Sequence, residues 1–333
     1  MNARYPTVPG AARPTVVMTG ASTGIGRAAV HAMFDGRVGP RPGRLLLGAR
    51  DAAALEGALR TDAEAADVSL KVFPLDLASL ASIAAFGVAV GRRLGVVRVD
   101  ALVANAGIQT TDRLERSRDG HELSFAVNAL ANAALVWALA PVLASRARVI
   151  VTASGTHDPN DRGARRFGFR GGRYTSARAL AAGEVEPGTS PTQAGRDRYA
   201  TSKLCALLLV REFARRAPTD GIVPMAFDPG LVPGTGLARG YPPLLKWAWH
   251  HVMPTVARLM PGASTPQRSG ATLAWVATSP ECTPERGAYL QFDRTAAPVW
   301  ARIDDRAWAD DCWHWCAAQC ADVVPNAPRA NAR

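Results

Sequence analysis

Short runs of consecutive apolar residues alternate along this chain with longer stretches in which apolar positions recur every three or four residues. The uninterrupted runs read as strands buried on both faces, near 15–19, 44–47, 70–74, 101–105, 148–153, 222–228 and 288–293. The longer stretches have helical spacing and fall at 25–34, 51–66, 79–94, 117–144, 197–217 and 266–279. Strand and helix alternate regularly from residue 15 to about 293, which argues for one α/β domain with a parallel, doubly wound sheet. Ligands of such sheets bind at the carboxyl ends of the strands.

Two local patterns carry the candidate chemistry. The first apolar run leads into Thr19-Gly-Ala-Ser-Thr-Gly-Ile-Gly26 and then into a segment of helical composition. Strand, glycine turn and helix together form the context for dinucleotide binding, because missing Cβ atoms let the backbone approach a pyrophosphate at the helix N-terminus. The second pattern is Tyr199-Ala-Thr-Ser-Lys203. On a helix these two residues share a face. An ammonium at Lys203 would favour the Tyr199 phenolate and draw the phenol's pKa towards neutrality, as proton exchange with a carbonyl or alcohol oxygen requires.

From about Thr15 to Asp293 the chain resembles the short-chain dehydrogenase/reductase family. The resemblance rests on Gly20, Gly24 and Gly26, Asp76, Asn105-Ala-Gly107, Asn128, Ser154, Tyr199, Lys203 and Pro229-Gly230. It implies a Rossmann-type sheet of about seven strands in the order 3-2-1-4-5-6-7, with helices on both faces. It also implies a cofactor site comprising Gly20, Ser22, Thr23, Gly24, Ile25, Gly26, Arg50, Asp76, Leu77, Asn105, Ala106, Gly107, Tyr199, Lys203, Pro229, Gly230, Val232 and Thr235. Tyr199 would act as general acid or base, Lys203 would tune it and bind the nicotinamide ribose, and Ser154 would polarise the substrate oxygen. Asn128 would hold a relay water. Within the family, the segments 119–128, 199–205 and 228–237 look most like retinol dehydrogenases and light-dependent protochlorophyllide reductases.

The expected cofactor is NADP(H) rather than NAD(H). The second strand ends at Arg50, where NAD-preferring relatives carry an acidic residue, and a guanidinium suits a 2′-phosphate. Asp51 reads as the cap of the next helix. A light-dependent protochlorophyllide reductase and a catalytically silent NADP-binding sensor or scaffold are the alternatives to a dark carbonyl reductase or alcohol dehydrogenase.

Composition narrows the partners. The net charge is +11, yet only three of the 39 basic residues are lysine and the arginines are dispersed, so a nucleic-acid surface is not expected. No apolar run approaches 18 residues and residues 1–13 lack a secretory pattern, so neither a membrane span nor a secretory leader is expected. Five cysteines point to a reducing cytoplasm. Three of them, Cys312, Cys316 and Cys320, recur every four residues, a spacing that reads as helix packing rather than a metal site. Residues 1–13 and 324–333 are expected to be flexible, flanking a domain at 14–323.

Two segments bear on the substrate. An insertion at 157–196, rich in Gly, Arg and Pro, reads as a lid or cover. The segment 240–261 reads as an aromatic and aliphatic substrate loop for a lipophilic molecule, with peripheral membrane contact as its alternative. Candidate substrate residues are His157, Cys205, Leu231 and Trp247. His157 would be an auxiliary acid, a substrate contact or a loop brace, and Cys205 a substrate contact or a packing residue. Monomer and homo-oligomer remain open.

Overall fold

The computed structural model describes residues 12–218, 221–233 and 262–328. Seven parallel strands form one sheet in the order β3-β2-β1-β4-β5-β6-β7, as the family resemblance implied. They are β1 Thr15–Thr19, β2 Arg44–Ala49, β3 Ser69–Pro74, β4 Val99–Ala104, β5 Leu143–Thr152, β6 Val223–Asp228 and β7 Tyr289–Gln291. Their side chains alternate between two cores. Met18, Leu47, Val103, Ile150 and Phe227 face α1 (Gly24–Asp35), α2 (Ala52–Ala65) and α9 (Pro266–Thr278). Val17, Leu46, Leu102, Val149 and Ala226 face α3 (Leu80–Leu94), α5 (Ala131–Leu139), α8 (Pro191–Arg216) and α10 (Arg306–Cys320). Burial on both faces explains why the strands read as continuous apolar runs.

The expected helix at 117–144 starts later and is not uniform. Gly120, at φ +85°, breaks the chain, and Glu122 caps α4 (Leu123–Phe125) by accepting from the N–H groups of Ser124 and Phe125. A π-helical stretch, Ala126–Leu130, then leads into α5 and a closing 3₁₀ turn, Ala140–Val142. The whole segment Leu123–Val142 is long and apolar enough to cross a membrane, but 83% of its most apolar window is buried inside the protein, as in a core helix. The strand expected at 148–153 begins earlier, at Leu143, with an irregular pairing to β4.

The insertion is structured. Asp161 caps α6 (Arg162–Arg166), Ser176 caps α7 (Ala177–Ala182), and Ser190 caps α8 six residues ahead of the expected start, at the N1 proline Pro191. It packs on α8 through Arg170 to Asp197 and Thr201 to the Arg173 N–H, and on α10 through Tyr174, whose hydroxyl donates to Asp311 at 2.7 Å. Residues from both segments expected to be flexible are held in place. Arg13 is bonded to the carbonyls of Arg41 and Pro42 and to Asp67, and Val324 is buried after α10.

Candidate active site

The glycine turn is held to the centre of the sheet by Asn105, at the end of β4. Its side-chain N–H donates to the carbonyls of Thr19 and Gly20 at 3.3 and 3.1 Å, and its Oδ1 accepts from the Thr152 hydroxyl at 3.3 Å. Gly20 and Gly24 have φ of +73° and +58°, the left-handed region that favours glycine. At Gly26 a Cβ would lie 2.0 Å from the Gly20 carbonyl oxygen, so the first turn of α1 packs against the strand without room for a side chain. Thr23 occupies the N-cap of α1 but makes no side-chain capping bond, whereas Asp51, Ser79, Ser190 and Thr265 cap their helices. The first amides of α1 are thus free for an anion, the chemistry a dinucleotide pyrophosphate requires. Ser22, Thr23 and Arg50 are exposed beside this turn, and Ile25 and Leu77 are half-buried. Asp76 is engaged by the Ala78 N–H and by Arg118, at 2.9 Å.

Ser154 follows β5; its hydroxyl accepts from the N–H and hydroxyl of Thr156 at 3.3 and 3.1 Å, and its side chain favours the Tyr199 phenolate. Burial outweighs it and pushes the Tyr199 phenol above its usual range, with the Asp228 carboxylate acting in the same direction. The Lys203 ammonium lies 5.8 Å from the centre of the Tyr199 ring and donates to the Thr152 carbonyl at 2.8 Å. Burial brings it down to about 8, with Asp228 opposing that fall. The expected depression of the phenol is therefore not what this arrangement produces. Both groups are almost completely buried, and desolvation opposes ionisation of each.

Asn128 lies in the π-helical stretch and is fully buried. Its Oδ1 accepts from the Ile108 N–H at 2.9 Å, and its Nδ2 donates to the Ile108 carbonyl and the Ser202 hydroxyl. Its own carbonyl accepts from Asn132 at 2.7 Å. With these groups engaged, Asn128 braces the loop after β4 against α8. Gly107, Asn128 and Lys203 meet closely: a Cβ on Gly107 would lie 3.1 Å from Asn128 Oδ1 and 3.2 Å from Lys203 Nζ.

The candidate substrate residues separate. His157 is buried, with Nδ1 donating to the Ser154 carbonyl at 2.7 Å and Nε2 without a partner, so it shapes the turn that carries Ser154. Cys205 is fully buried in the core, in the same cluster as Cys312 of α10. Cys316 and Cys320 are buried in the same helix, and no metal-binding cluster occurs among the described residues. Leu231 is half-buried and bridges to Ala263, while Pro229, Gly230 and Val232 lie beside it. Thr235, Trp247 and the loop 240–261 lie outside the described residues. From the insertion, Phe169 reaches the Tyr199 ring, with centroids 5.9 Å apart. A cavity of about 410 Å³ lies behind α8, lined by Phe125, Tyr174, Ser202 and Trp308 but not by Tyr199.

Four residues missed by the sequence reading hold this centre together. Thr152 and Ser202 sit two positions before Ser154 and one before Lys203, and Asp228 immediately precedes Pro229-Gly230, so proximity to the motifs could have flagged them. Nothing in the sequence ties Tyr289 to the site.

The model of the short chain dehydrogenase family matches residues 14–162. The chain is 29% identical over 315 residues to a Streptomyces sp. (strain C5) protein assigned as a daunorubicin C-13 ketoreductase, covering 93% of each chain. It is 31% identical over 308 residues to the chloroplastic protochlorophyllide reductase A of Triticum aestivum, covering 88% of this chain and 75% of that one. The NADPH-bound carbonyl reductase from chicken fatty liver shares the fold, with a TM-score of 0.61, 20% identity and coverage of 87% of this chain and 100% of that one.

Proposed function

The chain belongs to the short chain dehydrogenase family, and on that premise we propose that it is an NADP(H)-dependent reductase of a bulky, apolar ketone or aldehyde. It is an oxidoreductase acting on a carbonyl or alcohol. The observation that carries the finer reading is the Lys203 ammonium, held by the Thr152 carbonyl at the end of β5 and 5.8 Å from the Tyr199 ring, with Ser154 of the same strand end acting on the phenol. A bound nicotinamide dinucleotide would supply the hydride. Gly20, Gly24, Gly26 and the free amides of α1 would hold its pyrophosphate, and Arg50 a 2′-phosphate.

The chain's own residues manage the proton. Ser154 donates to the substrate oxygen and fixes its position within reach of Tyr199. Tyr199 gives that oxygen its proton as hydride reaches the carbon, and Lys203 stabilises the phenolate left behind. Desolvation keeps Tyr199 protonated until then, which suits the reducing direction.

A light-dependent protochlorophyllide reductase is the second reading, favoured by the wheat relative. Two observations weigh towards a dark ketoreductase. The Streptomyces relative aligns over nearly all of both chains, and Cys205, which would mark the pigment site, packs against Cys312 instead. The test is NADPH consumption across bulky ketones and aldehydes, in darkness and in light with protochlorophyllide included. Dark turnover that falls by about 10²-fold or more in Tyr199→Phe, with NADPH affinity retained, supports the proposal. Conversion of protochlorophyllide only in light overturns it. NADPH binding without any turnover points to the sensor reading.

A further inference from the structure

The carboxylate of Asp228 belongs to the same cluster as Tyr199 and Lys203, yet the proton transfer described above does not use it. It ends β6, and two donors from different elements orient it. The Tyr289 hydroxyl of β7 donates to Oδ2 at 3.1 Å, and the Gly230 N–H donates to Oδ1 at 2.9 Å. Oδ2 lies only 3.4 Å from where a Cβ on Gly155 would stand, so the carboxylate rests against the residue after Ser154. On the other side, Thr152 pairs with Phe227 and accepts the Lys203 ammonium, which places that cation beside the end of β6.

The remaining groups around Asp228 do not cancel its charge. His157 is buried with its Nδ1 proton committed to the Ser154 carbonyl, and burial lowers its affinity for a second proton. Asp158 and Asp161 face the same turn and carry the same sign as Asp228. Burial raises the Asp228 carboxyl above its ordinary range, and the Gly230 N–H and the Tyr289 hydroxyl oppose that rise by favouring the ionised form. A negative charge here acts on Tyr199 and Lys203 of α8, as it does on His157 and Tyr289, and in the same sense on each. It opposes loss of a proton from the phenol and from the ammonium alike.

We propose that Asp228 is a positioning residue of the proton transfer: held by Tyr289 and Gly230 at the end of β6, its carboxylate favours the protonated form of the Tyr199–Lys203 couple, the form that donates to a carbonyl. The couple is thereby poised for reduction rather than for alcohol oxidation. Tyr289, distant in sequence and on the edge strand, acts through Asp228 by fixing where the charge sits. The proposal rests on the oxidoreductase reading for its meaning, but the charge balance itself can be measured without a substrate.

The chain contains only three lysines, Lys71, Lys203 and Lys246, so the side-chain carbon resonances of lysine-labelled protein resolve into three signals, with Lys203 assigned by its loss in Lys203→Arg. The titration of that signal, expected near 8 in the parent chain, is followed in Asp228→Asn and Tyr289→Phe. Removing the anion should move it to lower pH by about one unit. Tyr289→Phe should move it the same way by less. The alkaline limb of kcat/KM for carbonyl reduction should shift in parallel, with NADPH affinity unchanged. A Lys203 titration that stays in place or rises in Asp228→Asn overturns the proposal. If Asp228→Asn does not fold, an unmoved titration in Tyr289→Phe overturns it. If no carbonyl is turned over, the proposed function fails while the Lys203 titration still decides this inference.

Discussion

Lys203 Nζ donates to the main-chain carbonyl of Thr152 at 2.8 Å, and the hydroxyl of the same Thr152 donates to Asn105 Oδ1 at 3.3 Å. One residue at the end of β5 therefore connects the ammonium beside Tyr199 to the side chain that anchors the glycine turn.

The burial of Tyr199 and Lys203 sets a pH dependence. Burial depresses Lys203 to about 8 and raises Tyr199, so as pH rises the couple first loses a proton near 8. Carbonyl reduction needs that proton and alcohol oxidation needs its absence. The kcat/KM for reduction should accordingly fall as pH rises through about 8, and that for oxidation should rise. Steady-state profiles in both directions check this, and a reduction profile flat across that range contradicts it.

Arg50 stands exposed at the end of β2, with no acidic side chain in its place and Asp51 committed to capping α2. Arg50→Asp should weaken NADPH binding by about 10-fold or more and leave NADH binding equal or stronger, because a charge-assisted phosphate contact becomes a repulsion. Fluorescence titration of both cofactors against both proteins measures it. Parent protein that prefers NADH would refute the assignment.

Gly26 and Gly57 provide a matched pair of substitutions. A Cβ at Gly26 meets the Gly20 carbonyl oxygen at 2.0 Å and Asn105 Nδ2 at 2.7 Å, whereas at Gly57, within α2, it meets nothing within 4 Å. Gly26→Ala should cost about 1–3 kcal/mol of stability or more and abolish tight NADPH binding. Gly57→Ala should instead stabilise by about 0.5–1 kcal/mol and leave binding unchanged. Denaturant midpoints together with cofactor titration distinguish the two.

The C-terminal helix is part of the core. Trp313 of α10 packs edge-on against Trp137 of α5 and Phe213 of α8, with centroids 5.3 and 4.9 Å away, and Arg216 lies over its ring at 4.9 Å. Trp313→Ala should cost about 3–5 kcal/mol, read as a lowered urea midpoint. Cofactor affinity measured well below that midpoint should not change, since no residue of the glycine turn touches this cluster.

The sequence by itself was enough to determine the order of strands and helices, the parallel sheet and the place of the glycine turn, because each of these depends on local patterning. Apolar runs buried on both faces, a glycine run between strand and helix, and an i,i+4 Tyr–Lys pair can all be read within a few residues. Tertiary structure alone decided the electrostatics. The depressed phenol expected from the Tyr199–Lys203 spacing gives way to a raised one because burial is set by elements far from it in the sequence, among them Phe169 and Tyr289. Spacing also left Cys205 open between site and core, and only the approach of Cys312 from α10 turned it inward. Asp228 acquires its role the same way. Its neighbours in the sequence are Pro229 and Gly230, but the hydroxyl that aims its carboxylate comes from Tyr289 on the adjoining strand, a contact created by sheet pairing.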